Sequence, residues 1–460
     1  MNIKKPPFNP DQLYQRALTL HHAGKLVDAE GLYKTLLEYF PDQVEILTTL
    51  GILLFQQGRS EAGFQLIKKS LNLNANQPVA LYNMAVELQR ISRLDEALSC
   101  YDQVLNLNPQ DINSLLNRGN TLKDLRRYQE AIASFESALA RQPKVPSAHW
   151  NKAITHLLLG EFEQGWKEYE WGWQCGERGQ ARKYTQPTWL GDFPITGKAL
   201  LIHPEQGFGD LIQFSRYVPL LEKLGATIIL EASASLVDLM HSLSPKVRVI
   251  KEGDPFPHFD FVCPVMSLPF ALKTELNSIP ANIPYLSVSE FKKDFWKHKL
   301  GNKTKPRIGV VWSGSMTNRI DHNPFARRNI PLAQMNPLFD LPFEFHVLQK
   351  EFRSEDQSVL AGLNHLHLHH DDLIDFSDTA ALIEEMDLVI SVCTSVAHLS
   401  GALGHPTWVL LPYSADYRWL VDRNDSPWYP TVALFRTQNV GDWSSVISNI
   451  IAQLKVKFAN

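Results

Sequence analysis

The chain has 460 residues, of which 44% are hydrophobic and 20% are charged, a composition typical of a folded globular protein of about three domains. The 45 basic and 49 acidic side chains give a net charge of −4, which argues against a broad basic surface for nucleic acid. The four cysteines lie far apart without a CxxC pair, so neither a disulfide framework nor a zinc site is expected. The first residues, MNIKKPPFNPDQ, lack the apolar segment of a secretory signal, and no uninterrupted apolar run reaches membrane-spanning length. We therefore expect a cytoplasmic protein without an integral membrane segment.

Small residues recur every 34 positions through the first third of the sequence. One series is Ala17, Gly51, Ala85, Gly119 and Ala153, and a second is Ala29, Gly63, Ala97, Ala131 and Gly165. A third, mostly aromatic series is Tyr33, Ile67, Tyr101, Phe135 and Tyr169, and three of the periods end in Pro41, Pro109 and Pro143. The pattern predicts an antiparallel helix pair in each period, because small residues let two helices approach, a large residue fills the gap and proline ends the second helix.

This pattern resembles the tetratricopeptide repeat, with five copies within residues 1–175. The resemblance implies an N-terminal α-solenoid whose stacked helix pairs form a concave groove. In this family the groove usually binds a peptide or protein segment, so we expect the array to recruit a protein partner or to position an acceptor substrate. The alternative is a spacer or docking platform without a ligand of its own.

Tryptophans cluster where the repeats end. Trp166, Trp171 and Trp173 lie in the segment GWKEYEWGW, and Trp189 lies in a linker or docking segment that spans residues 176–197. Adjacent aromatic side chains could form a surface on which a ligand stacks, but in a terminal repeat they more often pack against the next domain. We therefore predict that they cap the repeats against the following domain.

From residue 198 onward, short apolar strands alternate with amphipathic helices. The predicted strands are Ala199–His203, Ala226–Leu230, Val247–Ile250, Phe259–Cys263, Arg307–Trp312, Phe343–Leu348, Leu388–Val392 and Pro406–Leu411. The predicted helices are Leu211–Leu224, Ser235–Leu243, Thr379–Met386, Val396–Leu403 and Trp443–Phe458. The basic segment KHKLGNKTKP is interpreted as a linker between two units, residues 198–300 and 301–460. Such alternation predicts parallel sheets with crossover helices, and therefore an α/β class for this part of the chain.

Two loops in these units could hold an anion. Gly207, Gly209 and Asp210 follow the first strand and open a helix, where exposed backbone amides attract negative charge. Asp210 could also be the cap of that helix, a role that aspartate suits well. Thr394 and Ser395 open a later helix in the same way, and Ser395 is the expected cap there.

Three more side chains could reach the second loop. His398 lies one turn after Ser395, although a helical histidine is more often a packed core residue. Arg327 and Arg328 lie in the segment FARRNIP, and guanidinium groups bind phosphate oxygens in bidentate fashion. A solvated basic loop would have the same sequence.

The segment HLHLHHDD, residues 365–372, does not predict a metal site. In a strand, His365, His367 and His369 would share one face, but neighbours on one face are about 7 Å apart, too far for three ligands of one ion. The HExxH, GxSxG and Walker A motifs are also absent from the sequence.

Two segments carry a second resemblance. EQGFGDLIQFSRYVPLL and DFSDTAALIEEMDLVISVCTSVAHLSGALGHP are similar to the heptosyltransferase-type glycosyltransferases of family 9, over approximately residues 198–411. The resemblance implies a GT-B fold of two Rossmann-like lobes and transfer of a sugar from a nucleotide-diphosphate donor. Residues 198–300 would form the acceptor-side lobe, and residues 301–460 the donor-side lobe with a closing C-terminal helix.

The resemblance also implies roles for individual residues. Asp210 falls on the aspartate of the family's GD motif and would be the catalytic base. The residues that would bind the nucleotide sugar are Gly207, Gly209, Trp312, Ser313, Gly314, Arg328, Thr394, Ser395 and His398. The implied chemistry is an inverting displacement that needs neither a metal ion nor another cofactor.

Two functions remain open at this point. The first is a glycosyltransferase whose repeats recruit or position the acceptor, and it is favoured by the retention of Gly207, Gly209, Asp210 and His398. The second is a non-catalytic repeat scaffold with a degenerate nucleotide-binding domain. It is favoured by Cys393, which stands where the family's donor motif often has an aspartate.

Overall fold

The computed structural model describes residues 6–205, 207–314 and 328–459. The chain forms two compact units, Met1–Ala148 and His149–Asn460. Helices make up the described part of the first unit, and the second contains both helices and parallel β-sheets.

The first unit consists of helix pairs joined by short turns. Its helices are α1 (Pro10–His22), α2 (Leu26–Tyr39), α3 (Val44–Gln56), α4 (Ser60–Leu73), α5 (Pro78–Arg90), α6 (Leu94–Leu107), α7 (Ile112–Asp124) and α8 (Tyr128–Arg141). The periodic small residues lie where the helices of a pair cross. A Cβ atom on Gly119 would lie 2.4 Å from the Phe135 ring, and one on Gly63 would lie 2.5 Å from the Phe55 ring. The predicted helix pairs are confirmed, and a larger side chain at these positions would clash with the partner helix.

The second unit begins within another helix pair. Its helices are α9 (Pro146–Leu159), α10 (Phe162–Tyr169) and the short α11 (Gly172–Cys175). The ring of Trp166 lies 6.1 Å from the Phe214 ring and 6.0 Å from the Tyr417 ring, both of which belong to the α/β part of this unit. The predicted capping role is therefore confirmed for Trp166.

The other tryptophans near the end of the repeats have different partners. Trp171 stacks on His149 at a centroid distance of 4.0 Å, and Trp173 lies under the Arg178 guanidinium at 4.3 Å. Trp189 is buried and donates its ring N–H to the Phe193 carbonyl at 3.0 Å. Its backbone N–H also bonds to the carbonyl of Val262, so the linker is attached to the first sheet of the α/β part.

Two parallel sheets form the α/β part. The strands of the first sheet are β1 (Ala199–His203), β2 (Thr227–Ala232), β3 (Arg248–Lys251) and β4 (Phe261–Pro264). Those of the second sheet are β5 (Arg307–Val311), β6 (Glu344–Val347), β7 (Leu366–Leu368), β8 (Leu388–Val392), β9 (Thr407–Leu411) and β10 (Val432–Arg436). We call the chain around the first sheet (residues 199–278) the first lobe and the chain around the second sheet (residues 290–457) the second lobe.

The strand order of both sheets follows one scheme. The order is β3-β2-β1-β4 in the first sheet and β10-β9-β8-β5-β6-β7 in the second, with parallel pairing throughout. Numbered within the second sheet, this is the order 3-2-1-4-5-6 of a doubly wound α/β sheet, and the first sheet has its 3-2-1-4 part. The predicted parallel α/β architecture is confirmed.

Most of the predicted strands agree with the observed ones. Strands β1 and β8 have the predicted bounds, and the ends of the other predicted strands are shifted by at most two residues. Strands β7 and β10 were missed, and both lie at the edges of the second sheet. An edge strand needs no continuous apolar run, because one of its sides has no neighbouring strand.

Helices cover the sheets. They are α12 (Phe208–Phe214), α13 (Val218–Lys223), α14 (Val237–Met240), α15 (Leu268–Ala271), α16 (Glu290–Leu300), α17 (Leu332–Phe339), α18 (Ser354–Leu360), α19 (Phe376–Glu384), α20 (Ser395–Ala402) and α21 (Trp443–Lys457). The predicted linker KHKLGNKTKP begins inside α16, which packs on the second lobe. Lys292 donates to Asp378 at 2.6 Å, and the Trp296 ring meets the edge of the His369 ring at 5.3 Å.

The C-terminal helix α21 belongs to the core of the second lobe. Its apolar side chains are buried with those of β5 and β8 in one cluster that includes Ile308, Val310, Leu388, Ile390, Val446, Ile447 and Ile450. Among the described helices, none is long and apolar enough to cross a bilayer.

Two histidines are buried at the edge of the second sheet. Nδ1 of His346, in β6, lies 3.0 Å from Nε2 of His369, which follows β7. The exposed His367 ring stacks on His346 at 4.6 Å. Within the described parts of the chain, no group of three or more histidine, cysteine or acidic side chains is placed to hold a metal ion.

Lowering the pH should destabilise the second unit through these two histidines. Burial, together with the nearby His367, lowers the pKa of His346 to about 3 and that of His369 to about 4. A histidine of the unfolded chain titrates near pH 6.5. Below that pH the unfolded chain binds protons that the folded protein does not, so the free energy of unfolding falls as the pH drops. Between pH 7 and pH 5 each histidine should lower the free energy of unfolding by about 2 kcal/mol.

Urea unfolding of the full chain at pH 7, 6 and 5, followed by tryptophan fluorescence, measures this loss. The variant that combines His346→Phe and His369→Phe should lose less stability on acidification than the parent. His365→Gln removes an exposed histidine of the same segment and should leave the pH dependence unchanged. The same unfolding midpoint at pH 7 and pH 5 would contradict the prediction.

Candidate functional site

The sequence-predicted residues lie at the places where the strand order of each sheet reverses. In the first sheet β1 lies between β2 and β4, and in the second sheet β5 lies between β6 and β8. Ligands of such sheets bind beyond the carboxyl ends of the strands at this switch point. The loop that carries Gly207 to Asp210 follows β1, the segment from Trp312 to Gly314 follows β5, and Thr394 follows β8.

The beginnings of α12 and α20 bring the two switch points together. A Cβ atom on Gly209, in α12, would lie 3.0 Å from Cδ2 of His398 and 3.5 Å from the Cα atom of Ser395, both in α20. A side chain here would press on the His398 ring, which would have to give by a few tenths of an ångström. Because amides at a helix start carry partial positive charge, both lobes contribute such charge to this region.

The structure confirms one predicted cap in part and corrects the other. The N-cap residue of α12 is Gly207, in extended conformation, and Asp210 caps the helix from its third position, where its side chain accepts the Gly207 N–H. The cap of α20 is Thr394, and Ser395 is the first helical residue. The Thr394 hydroxyl lies 3.1 Å from that of Ser391, so it is bonded to the strand end rather than to its own helix.

Asp210 lies at the contact between the lobes. Its Oδ1 accepts a hydrogen bond from Nη2 of Arg418, in the second lobe, at 2.7 Å. Its Oδ2 accepts the backbone N–H of Gly207 at 3.3 Å. The side chain is 21% exposed, so the carboxylate remains accessible while it bridges the lobes.

His398 is buried behind this contact. Its Nδ1 lies 3.0 Å from the Tyr429 hydroxyl, and its ring stacks on Trp419 at 5.1 Å. Burial, with a smaller contribution from the positive charge of Arg418, lowers the pKa of His398 to about 3, so the ring is neutral. The predicted role as a ligand-binding residue is therefore corrected: His398 supports the contact between α12 and α20.

The segment after β5 divides between core and surface. The Trp312 ring is fully buried and donates to Asp356 at 2.9 Å, so the structure places it in the core of the second lobe rather than on the cleft. Ser313 is also buried, and its hydroxyl accepts from Gln349 at 3.1 Å. Of these three residues, Gly314 lies beside the exposed Arg328: a Cβ atom on Gly314 would be 3.1 Å from Nη2 of that arginine.

Arg328 connects the loops after β5 and β8. Its Nη1 donates to the Cys393 carbonyl at 3.2 Å, directly before the start of α20. The side chain is exposed, so part of its guanidinium can bind another anion. Arg327 lies outside the described residues.

Cys393 supplies no negative charge to the site. Burial raises the pKa of its thiol to about 11, and the sulfur accepts the ring N–H of Trp419 at 3.0 Å. The thiol is therefore neutral and bonded at the position where the family's motif often has a carboxylate.

A buried ionic network, which the sequence did not predict, holds the loop after β1. Arg178 donates to both carboxylate oxygens of Glu205, at 2.7 and 2.8 Å, and to Glu170 at 2.8 Å. Arg178 also donates to Ser267, which follows β4, at 2.9 Å. The Arg178 and Glu205 side chains are only 1% and 2% exposed. Burial raises the pKa of Glu205 and the Arg178 charge opposes that rise, so the two groups depend on each other.

The switch point of the first sheet is therefore filled by protein. Glu205 follows β1 and Ser267 follows β4, while Arg178 and Glu170 come from the linker and the end of the helix pair that precede the sheets. The adjacency of Glu205 to the GFGD motif was the only sequence signal of this network, and it did not identify the partners.

Comparison with known proteins identifies the helical part of the chain. A tetratricopeptide-repeat family model matches residues 12–78 and 116–165, and a second one matches residues 78–111. These residues form tetratricopeptide repeats. The chain is also 26% identical over 332 residues to Protein FlbA of Caulobacter vibrioides, a match that covers 66% of this chain and 54% of FlbA. The chain thus spans about half the length of the curated relative it matches.

Solved repeat proteins are similar to part of the chain. A crystal structure of MamA protein is 17% identical with a TM-score of 0.34, covering 38% of this chain and 98% of MamA. A tetratricopeptide repeat protein from Parabacteroides merdae is 22% identical with a TM-score of 0.34, covering 37% and 67%. YrrB, described as a repeat protein with an unusual peptide-binding site, is 16% identical with a TM-score of 0.33, covering 37% and 87%.

Replacing Gly209 by alanine should disrupt the contact between the lobes. The added methyl group would meet His398, whose ring is held between Trp419 and Tyr429 and cannot move aside. Overpacking of this kind costs about 1–3 kcal/mol. Denaturant unfolding of Gly209→Ala should show this loss. Gly362→Ala is the matched control, because a Cβ there makes only an ordinary 3.5 Å contact; equal stability of the two variants would contradict the prediction.

Removing Arg178 should destabilise the second unit and loosen the loop after β1. Arg178→Met leaves the buried Glu205 without its partner, which costs about 3–5 kcal/mol. A second change, Glu205→Gln, removes the unpaired charge and should restore part of the loss. The measurements are denaturant unfolding and hydrogen exchange of residues 207–214. Arg423→Met, at a pair with the exposed Asp425, is the comparison, and an equally small effect of both would refute the role of the network.

Proposed function

We propose that the chain is an inverting, metal-independent glycosyltransferase that uses a nucleotide-diphosphate sugar. In this proposal the two lobes form a GT-B fold, and the tetratricopeptide repeats recruit or position the acceptor or a protein partner. The observation that carries the proposal is the meeting of complementary groups from both lobes. Asp210 of the first lobe lies at the contact with α20 of the second, and the exposed Arg328 lies at the start of α20.

The donor diphosphate would bind at the start of α20. The first-turn amides of α20 and the Arg328 guanidinium offer hydrogen-bond donors and positive charge there. Gly314 itself places no side chain beside Arg328. The neutral thiol of Cys393 adds no repulsion. Stabilising the departing diphosphate in this way requires no metal ion.

Asp210 would act as the general base. Its carboxylate would take the proton of an acceptor hydroxyl while that oxygen forms a bond to the anomeric carbon. The bond between that carbon and the diphosphate oxygen breaks at the same time, and the electron pair leaves with the diphosphate. Approach of the acceptor from the face opposite to the leaving group inverts the anomeric centre. A general base contributes typically 10²–10⁴-fold to such a step.

The second candidate is a non-catalytic repeat scaffold whose α/β part binds a nucleotide without turning it over. It is favoured by the neutral Cys393 and by the bond of Asp210 to Arg418, which already engages one oxygen of the carboxylate. In both candidates the repeats bind a peptide or protein segment, as tetratricopeptide repeats usually do. Binding and turnover measured on the same variants separate the two candidates.

The test is a panel of nucleotide-diphosphate sugars assayed for binding and for release of the nucleotide. Asp210→Asn should lower transfer or donor hydrolysis by about 10²–10⁴-fold, because the base is lost, while nucleotide binding stays within about twofold. Arg328→Met should weaken nucleotide-diphosphate binding by about ten- to a hundredfold, because a charged hydrogen bond is lost. Asp294→Asn makes the same chemical change on the exposed surface of α16 and should alter neither. Binding without turnover would favour the scaffold, and a panel with neither would refute both.

A further inference from the structure

Arg418 is the described side chain that bonds to Asp210 across the lobe boundary, and none of the site motifs includes it. It lies in a short turn, Tyr417–Trp419, that follows β9. One arm of its guanidinium donates to Asp210 at 2.7 Å, and the other donates to Asp416 at 2.9 and 3.0 Å. The backbone N–H of Arg418 also donates to Asp416 at 2.9 Å.

The turn that carries Arg418 is fixed on both sides. Tyr417 is buried against the Trp166 and Tyr169 rings, at centroid distances of 6.0 and 6.1 Å. Trp419 is fully buried, stacks on His398 and donates to the Cys393 sulfur. With a buried anchor before and after it, Arg418 has little freedom to reach another position, and its own side chain is only 12% exposed.

The contacts of Arg418 distinguish two roles that an arginine could have at this site. An arginine that binds the diphosphate needs donors that are not committed to protein carboxylates. Both terminal nitrogens of Arg418 are bonded to Asp210 and Asp416 and its unpaired Nε is buried, whereas Arg328 is exposed and its described contact is with a carbonyl. These contacts indicate that Arg418 holds Asp210, and that Arg328 is the arginine available to bind the diphosphate.

We propose that Arg418 is the positioning residue of Asp210, because its guanidinium holds the carboxylate in a fixed orientation from the opposite lobe. This inference rests on the proposed glycosyltransferase function. Because Arg418 belongs to the second lobe and Asp210 to the first, Asp210 is held in its orientation only while the two lobes are in contact. A carboxylate displaced by about 1 Å can cost about a hundredfold in rate.

Steady-state kinetics of Arg418→Met test the proposal. We expect kcat to fall by about a hundredfold while the KM for the donor stays within about threefold, because orientation of the base is lost and donor binding is not. Arg418→Lys keeps the charge but not the planar fork, so it should recover about tenfold of the loss. Arg423→Met removes an arginine paired with the exposed Asp425 in the same lobe and should match the parent. A rise of KM and weaker nucleotide binding with kcat unchanged would show that Arg418 binds the donor, and would overturn the proposal.

Hydrogen exchange of the same variants tests the contact without any need for turnover. The amides of residues 207–214 should exchange at least about tenfold faster in Arg418→Met, because Arg418 holds Asp210 and Asp210 in turn accepts the Gly207 N–H at the start of α12. Arg423→Met should show the exchange of the parent. If the parent protein transfers no sugar, the proposed function fails, and this exchange experiment alone decides whether Arg418 holds Asp210. Unchanged exchange in Arg418→Met would overturn the inference in either case.

Discussion

The contact between α12 and α20 at Gly209 determines where the candidate site residues lie. The absence of a side chain at Gly209 lets the helix of the first lobe touch His398 and Ser395 of the second. That approach brings Asp210 within hydrogen-bond distance of Arg418 and sets it near the start of α20. A methyl group at the contact would press on the His398 ring, and interiors packed at crystal-like density do not yield even a few tenths of an ångström without cost. The GD motif is thus explained first by packing, and the chemistry of its aspartate depends on that packing.

The loop that carries this motif depends on residues from outside the two lobes. Arg178 and Glu170 come from the segment that follows the last repeat helices, and they complete the network around Glu205. A buried carboxylate without its guanidinium partner is costly, so the first lobe and this segment must fold together. The aromatic contact between Trp166 and Tyr417 also joins the last helix pair to the α/β part of the unit. The last helix pair is therefore part of the α/β unit as much as of the repeat array, which explains why the second unit begins at His149.

The sequence predicted the elements that have a periodic or continuous apolar pattern of their own, namely the helix pairs and the central strands. The period of 34 located the helix pairs, because close packing such as that of Gly119 against Phe135 restricts the periodic positions to small residues. Strands β1 and β8 were found because central strands are apolar on both faces. The turn residues Ser92 and Arg126 were not singled out: they adopt the same left-handed conformation that Gly24, Gly58 and Gly160 adopt in the other repeats, with φ of 68° and 61°. Because two of these five turns have a residue other than glycine, the 34-residue period was not recognised at the turn position.

The sequence analysis did not predict the contacts between residues that lie far apart along the chain. Arg418 and Asp210 are 208 residues apart, and Arg178 and Ser267 are 89 apart. Neither arginine belongs to a motif, because its role is defined by a partner that only the fold brings near. The same reason explains Trp312, which follows β5, and His398, which lies in the first turns of α20: both are near the predicted site, but their side chains are buried. A motif places a residue in a loop, and packing decides whether its side chain faces the ligand or the interior.

The cysteine at position 393 is better understood from charge than from likeness to the family. Its thiol is neutral and accepts the Trp419 N–H, while Arg328 binds its carbonyl at the start of α20. A carboxylate here would stand close to the place where a diphosphate would bind. Two like charges about 6 Å apart repel by about 3 kcal/mol at an effective dielectric constant near 20. In the proposed transferase, the cysteine would therefore leave the start of α20 more positive than an aspartate would, and the substitution would affect which group of a donor is recognised rather than whether a diphosphate is held.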